Sequence, residues 1–355
     1  MPGPLIFVAV FAASYLLTRA MLAYCRRVQM IDIPNERSSH TSPTPRGGGV
    51  AIALSSLGAI LIGVTVRQVS YSLGLAMLAA GVFVAGAGFW DDHRSLHPGT
   101  RLAGQLASAC LIVWALGTPQ SLGLGFVRIP PLGLTALSVL AVVWLINLTN
   151  FMDGIDGLAA AECVFVMFAR GMLLYFSGDH TLLYPCFALA AAAMGFLLLN
   201  WAPAKIFMGD AGSCYLGAAY GALLLADTVH EPLHLWVWLI LLSAFLADST
   251  VTLLRRLTAG ERVWKSHSTH AYQHLGRACG HGRTTRVYLA VNLLWLGPLA
   301  LCSSLRPQAG PIYFLVAIGP LVLGVWRLGA GRETIRPPFP FASKTDLREA
   351  RNALS

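Results

Sequence analysis

Apolar runs long enough to cross a bilayer recur along this chain, and the polar residues that chemistry needs sit in short segments between them. A run of roughly 18 or more apolar residues reads as a membrane span, because only a helix satisfies its own backbone amides in lipid. Eleven such stretches can be drawn: 4–24, 48–66, 73–89, 103–117, 132–146, 158–176, 182–199, 212–227, 235–254, 285–304 and 311–328. Only 12% of the residues are charged, against about 25% in an ordinary soluble domain. No polar stretch is long enough to fold alone. The expected fold is therefore an all-α polytopic membrane domain over 1–328, with ten or eleven transmembrane helices, followed by a mobile tail over 329–355. The first positive residue, Arg19, follows the first apolar stretch, so that stretch reads as a retained helix and not as a cleaved signal. The seven cysteines include no CxxC pair, and most lie in apolar runs. They read as small core hydrophobes.

Charge sets the expected orientation. Of 25 lysines and arginines, 20 fall in loops 25–47, 90–102, 200–211 and 255–284 (with Arg286 just beyond) and in the tail (with Arg327 just before it). Positive residues mark the cytoplasmic side. The N-terminus is therefore expected outside and the C-terminus inside. This bias, with anionic headgroups, accounts for the net charge of +9 without a nucleic-acid partner.

Five polar motifs fall on that basic side: PTPRGGG (Pro43–Gly49), FWDD (Phe89–Asp92), NLTNFMDGIDG (Asn147–Gly157), FMGD (Phe207–Asp210) and HSTHAYQH (His267–His274). Asp91 and Asp92 repel each other at the end of an apolar run. A divalent cation or diphosphate-linked chemistry would relieve that, and a solvated helix end is the plainer reading. Asn147, Asn150, Asp153 and Asp156 recur every three residues. On a helical turn they share one edge, which suits a nucleotide; a capped helix end is the alternative. Asp210 offers the oxygen ligand that Mg²⁺ takes, or merely precedes a helix capped by Ser213. His267, His270 and His274, flanked by Arg262, Lys265 and Arg277, suit phosphate or nucleotide better than zinc, since no cysteine is close by; an exposed histidine-rich loop is the bland reading. Tyr272 and Gln273 suit a base or sugar. Arg46 with Gly47–Gly49 offers amides and a cation to phosphate, or forms a membrane-entry loop. Asp248 is a candidate buried acid. Arg170 is expected to snorkel outward.

Taken together, the motifs resemble the polyprenyl-phosphate N-acetylhexosamine-1-phosphate transferase superfamily, glycosyltransferase family 4. The likeness runs from about Ile31 to Gln273 in the family's motif order, and NxxNxxDGIDGLA and FMGDAGS are its most specific parts. HSTHAYQ, with PNERSSHTSPTPRGGGVAI at Pro34–Ile52, is similar to the bacterial O-antigen-initiating branch that uses UDP-FucNAc or UDP-QuiNAc. The peptidoglycan and GlcNAc branches carry a denser histidine cluster.

The resemblance implies that a UDP-N-acetylhexosamine and undecaprenyl phosphate give an undecaprenyl-diphosphate sugar and UMP. It implies Mg²⁺, with Mn²⁺ able to substitute, a cytoplasmic active site in the bacterial inner membrane, surrounding membrane lipids and a homodimer. On that basis Asp210 and Asp92 would hold the metal, and Asp91 would deprotonate or orient the lipid phosphate. Asn150, Asp153 and Asp156 would hold the uridine or diphosphate side, with Asp153 and Asp156 counted with Asp91 and Asp92 as catalytic, and Asn147 would also bind substrate. His267 and His270, with Lys265 nearby, would contact the diphosphate and the departing UMP, Tyr272 would bind the base or sugar of the substrate, and Arg46 would steer the lipid phosphate. The alternatives are a GlcNAc-1-phosphate transferase and, in a different class, a lipid or solute transporter. Against transport, the two halves show no duplication and the polar residues gather on one face, not at mid-membrane.

Overall fold

The computed structural model describes residues 5–34, 39, 42–94, 96–123, 129–261 and 267–332. All eleven apolar stretches are helical. In chain order the helices are α1 (Leu5–Arg27), α2 (Val50–Thr65), α3 (Tyr71–His93), α4 (Pro98–Leu116), α5 (Pro131–Phe151), α6 (Leu158–Ser177), α7 (Leu183–Asn200), α8 (Gly209–His230), α9 (His234–Leu241), α10 (Ser243–Thr258), α11 (Ala271–Cys279), α12 (His281–Leu305) and α13 (Gly310–Arg327). Single π turns interrupt α3 at Ala80–Ala85 and α12 at Asn292–Leu296.

The helices are not equal as spans. Eight are long and apolar enough to cross a membrane: α1, α3 to α7, α12, and α13 with its lead-in from Pro307. The helices α9 and α10 make a ninth only as a pair bent by 71°. Two of the eleven expected spans therefore stand apart. The helix α2 has only 16 residues. The helix α8 has 22 residues, but its Gly-, Ala- and Ser-rich sequence falls short in hydropathy. The reason is its position. It is buried almost throughout and packs on α5, α3 and α2. A helix that touches protein on all sides needs small residues for close approach more than it needs grease. At its start, a Cβ on Gly212 would stand 2.5 Å from the Gly49 Cα, so α2 and α8 cross backbone to backbone.

Two-residue strands, β1 (Ile31–Asp32) and β2 (Thr44–Pro45), pair antiparallel with Ile31 opposite Pro45 and Asp32 opposite Thr44. This ribbon carries the PTPRGGG segment onto the start of α8. Phe207 N–H donates to Pro45 O (2.8 Å), Gly48 N–H to Phe207 O (2.9 Å) and Gly49 N–H to Met208 O (2.9 Å).

Two expectations need correction. Arg170 does not snorkel: it is buried in α6 and pairs with Asp227 of α8 at 2.6 Å. Burying a guanidinium is tolerable when a hydrogen-bonded acid meets it. The tail is not free from Gly329: Ala330 is buried, Gly331 N–H donates to Thr269 O (2.7 Å), and Arg255 donates to Ala330 O (2.8 Å). Residues 333–355 lie outside the described residues. Cys25, Cys163, Cys186 and Cys214 are buried, and none of the seven cysteines is in a disulfide.

Candidate active site

The sequence makes the site by ending helices together. The first turn of α8 exposes backbone N–H groups that no intrahelical carbonyl can reach, and the carboxylate of Asp92, on the last turn of α3, fills that need. Asp210 N–H donates to Asp92 Oδ1 (3.0 Å) and Ala211 N–H to Oδ2 (3.2 Å). Gly209 makes the approach possible: its φ is +76°, and a Cβ there would lie 2.5 Å from Asp92 Oδ2. A negative charge at a helix N-terminus is also favoured by the helix dipole.

Two arginines lock this corner. Arg46 Nε meets Asp92 Oδ1 at 2.7 Å, and its Nη2 meets Asp210 Oδ1 at 2.8 Å. Arg101, on the first turn of α4, meets Asp91 Oδ2 at 3.2 Å and Asp210 Oδ2 at 3.3 Å. Burial weakens the Arg46 guanidinium's hold on its proton, but Asp210, Asp92, Asp32 and Asp91 outweigh it and tighten that hold. Asn150, at the end of α5, donates from Nδ2 to Asp210 Oδ1 (3.1 Å) and to Ser213 Oγ (3.0 Å). Asp91 also accepts from the Leu96 N–H.

A cavity of about 240 Å³ opens beside this cluster. Arg46, Asn150, Asp153, Asp156 and Asp210 line it, together with Asp32, Ser39, Gln273 and His281. The Asp153 carboxylate takes no hydrogen bond or ion pair from any described residue. Burial, reinforced by Asp210 and Asp92 against the pull of Arg46, holds its carboxyl well above the usual carboxylate range. Arg46 and Arg101 thus hold three acids (Asp91, Asp92 and Asp210), and Asp153 stands beside them at the cavity wall.

The three-residue ladder does not keep one edge. Each three-residue step falls about 60° short of a full helical turn, and α5 ends at Phe151. Asn147 accordingly turns toward α4, where its Nδ2 donates to Gln105 Oε1 at 2.8 Å. Asp156 lies beyond the helix, accepting the Ala204 N–H at 3.1 Å and meeting His281 Nδ1 at 3.0 Å.

The histidine motif is placed differently from its expectation. His270 begins α11 beside the buried Asp248, Nδ1 to Oδ1 at 3.2 Å, and Asp248 also accepts the N–H groups of Ala271 and Tyr272 at 2.9 Å each. Asp248 therefore caps α11 as Asp92 caps α8. His267 stacks on His270 with centroids 5.0 Å apart. Burial, then His270 and Arg256, push His267 down to about 3. Tyr272 is buried and donates its hydroxyl to Phe151 O (2.8 Å). His267, His270 and Tyr272 do not line the cavity; Gln273 and His281 do. Lys265 and Arg262 lie outside the described residues. Sequence reasoning passed over Arg101, Gln105 and His281. Arg101 and Gln105 carried a signal, because a basic residue and an amide four apart at a helix start share a face. His281 carried none, since only the fold brings it to Asp156.

The chain is similar to known proteins. The model of glycosyl transferase family 4 matches residues 74–227. The chain is 31% identical over 322 residues to the decaprenyl-phosphate N-acetylglucosaminephosphotransferase of Mycobacterium tuberculosis, covering 81% of this chain and 78% of that one. The Mycobacterium leprae protein of the same name is also 31% identical, over 81% and 79%. The phospho-N-acetylmuramoyl-pentapeptide-transferase of Streptococcus pneumoniae is 27% identical over 294 residues, covering 74% of this chain and 85% of that one. With its many apolar helices and these relatives, the chain is a multi-pass membrane protein and a phosphotransferase, and it belongs to glycosyl transferase family 4.

Proposed function

We propose that this enzyme moves an N-acetylhexosamine-1-phosphate from a UDP-sugar to undecaprenyl phosphate and releases UMP, starting a lipid-linked surface polysaccharide such as O-antigen. One observation carries the reading: the charged cavity beside Arg46, Asp153 and Asp210, at the ends of apolar helices, lets a soluble diphosphate meet a lipid headgroup. An oxygen of the lipid phosphate attacks the β-phosphorus of the donor. A new P–O bond forms, the bond from that phosphorus to the α-phosphate oxygen breaks, and the electron pair leaves with UMP.

Two anions must approach, so charge neutralisation and positioning are the main requirements. Arg46 and Arg101 are held at the cavity by carboxylates and keep N–H groups that can turn to phosphate oxygens. The donor set fits Mg²⁺, with Mn²⁺ as a substitute. Mg²⁺ takes one or two protein carboxylates and completes its shell with waters and substrate phosphates, and Asp210 and Asp153 bring two carboxyl groups to the same cavity. Asp210 and the unpartnered Asp153 are the ligands this reading favours. Asp92 was the expected second ligand, but its side chain is fully buried and does not line the cavity, which suits positioning better, whereas Asp210, though also held by Arg46, Arg101 and Asn150, does line it. When bound, the ion would neutralise the diphosphate and its leaving oxygen. Asp91, paired with Arg101, would hold that guanidinium toward the lipid phosphate. Asp156 with His281 would set the cavity wall. The active site is read as cytoplasmic, in the inner membrane, from the charge bias.

The HSTHAYQ segment favours a dideoxy donor, UDP-FucNAc or UDP-QuiNAc. UDP-GlcNAc is the second reading, favoured by the name of the mycobacterial relatives. A transporter reading has no comparable support. UMP release by the detergent-purified protein, with undecaprenyl phosphate, Mg²⁺ and each donor in turn, tests both. Turnover with a dideoxy donor alone supports the first reading, and turnover with UDP-GlcNAc the second. Absence of lipid-dependent release with all donors would sink the transferase assignment.

A further inference from the structure

Gln273 joins a helix cap to the cavity. At the start of α11 the His270 N–H donates to Gln273 Oε1 at 3.2 Å. That contact settles which way the carboxamide lies, because a backbone N–H needs an acceptor. The nitrogen must face the other way, toward Gly154: a Cβ on Gly154 would lie 3.2 Å from Gln273 Nε2. That same Cβ would stand 2.2 Å from the Tyr272 hydroxyl, so position 154 has no room for a side chain beside the amide. No described residue accepts a hydrogen bond from Nε2, although Gln273 is only 7% exposed.

The surroundings decide what could. His281 is engaged at both ring nitrogens, by Asp156 and by Ser39 O. The Ser39 hydroxyl is buried without a partner. The donors open on this side, the Gln273 amide and the Ser39 hydroxyl, are uncharged and stand among the acids Asp153 and Asp156, while the Arg46 guanidinium lies on the Asp210 side. A diphosphate belongs on the guanidinium side, away from Asp153 and Asp156. A neutral substituent with a carbonyl oxygen fits the Gln273 side, and a buried donor left unpaired is costly.

We propose that the Gln273 carboxamide donates to the acetamido carbonyl of the sugar, making Gln273 a specificity-determining residue. The proposal rests on the transferase reading above. Gln273→Glu tests it, because the carboxylate keeps an oxygen for the His270 cap and removes both N–H donors. The measurement is calorimetric titration of the full-length protein with the UDP-N-acetylhexosamine that wild type turns over, with its analogue bearing a hydroxyl in place of the acetamido group, and with UDP. Wild type should prefer the acetamido sugar. The variant should lose about tenfold in affinity for it, the worth of one neutral hydrogen bond, and change little for the hydroxyl analogue and UDP. Gln273→Met, which also loses the cap, should lower the melting temperature and show the same loss of preference. A variant that keeps the wild-type preference, or weakens for all three ligands alike, overturns the proposal. So does a wild type with no preference. Failure of wild type to bind UDP at all would instead overturn the transferase reading beneath it.

Discussion

The helix α8 carries an arginine–aspartate cluster at each end, about 26 Å apart by helical rise, and the two differ in what they leave open. At the far end Arg170 meets Asp227 at 2.6 Å, with side chains 1% and 3% exposed. Asp227 also accepts from Trp238 Nε1 (2.6 Å) and meets His234 Nδ1 (2.7 Å). The acid is saturated and sealed, and it ties α6, α8 and α9 together. At the near end Arg46 meets Asp210 at 2.8 Å, with side chains 33% and 15% exposed, and the unpartnered Asp153 faces the same cavity. The same residue pair is structural where its hydrogen bonds close on themselves. It can act on a ligand where a cavity and an unmatched acid stand beside it.

Stability should separate the ends most sharply. Asp227→Asn leaves Arg170 buried without its counter-charge, and unfolding in detergent should show a loss of about 3–5 kcal/mol. Replacing both, Arg170→Met with Asp227→Leu, should recover much of that loss. Asp210→Asn should cost clearly less, because Arg46 keeps Asp92 and Arg101 keeps Asp91. Equal losses at the two ends would break the comparison.

Asp153→Asn should do the reverse and stabilise the ligand-free protein at neutral pH while lowering turnover. The sign follows from its raised carboxyl. The folded state binds the proton more tightly than the unfolded chain, whose value is about 3.9. Wild-type stability therefore falls as pH rises from there through the folded value, and the Asn variant escapes that fall. Melting curves across pH should show a gap that opens on raising pH and then stays constant. A variant less stable than wild type at neutral pH contradicts the raised carboxyl.

The smallest effect concerns His267, pushed down to about 3. Its neutral form contributes stability above about 6.5 that is lost as pH falls toward 3. His267→Asn should flatten the stability profile over that window, and an unchanged profile would place the ring outside its buried stack.

The membrane architecture was legible because lipid demands long apolar helices, and the motifs were legible because aspartates, amides and glycines stand out between them. Burial by protein was not legible. The helix α8 reads as a weak span because its neighbours are helices, and Arg170 reads as a snorkelling residue because Asp227 is 57 positions away. The site divided in the same way. The motifs picked out Asn150, Asp153 and Asp210, which the fold brings to one cavity. Local spacing also put Asn147 beside them and stacked His267, His270 and Tyr272 onto a ligand, because it could not see where α5 ends or that Asp248 draws His270 inward. Arg101 and His281 belong to the cluster only through helix packing.

The most direct test compares lipid-dependent UMP release by Asp210→Asn and Asp227→Asn, each corrected for its folded fraction, at saturating Mg²⁺ and with a donor that wild type turns over. The account predicts a loss of about a hundredfold or more for Asp210→Asn and near wild-type turnover per folded molecule for Asp227→Asn. Near-normal turnover by Asp210→Asn would contradict it.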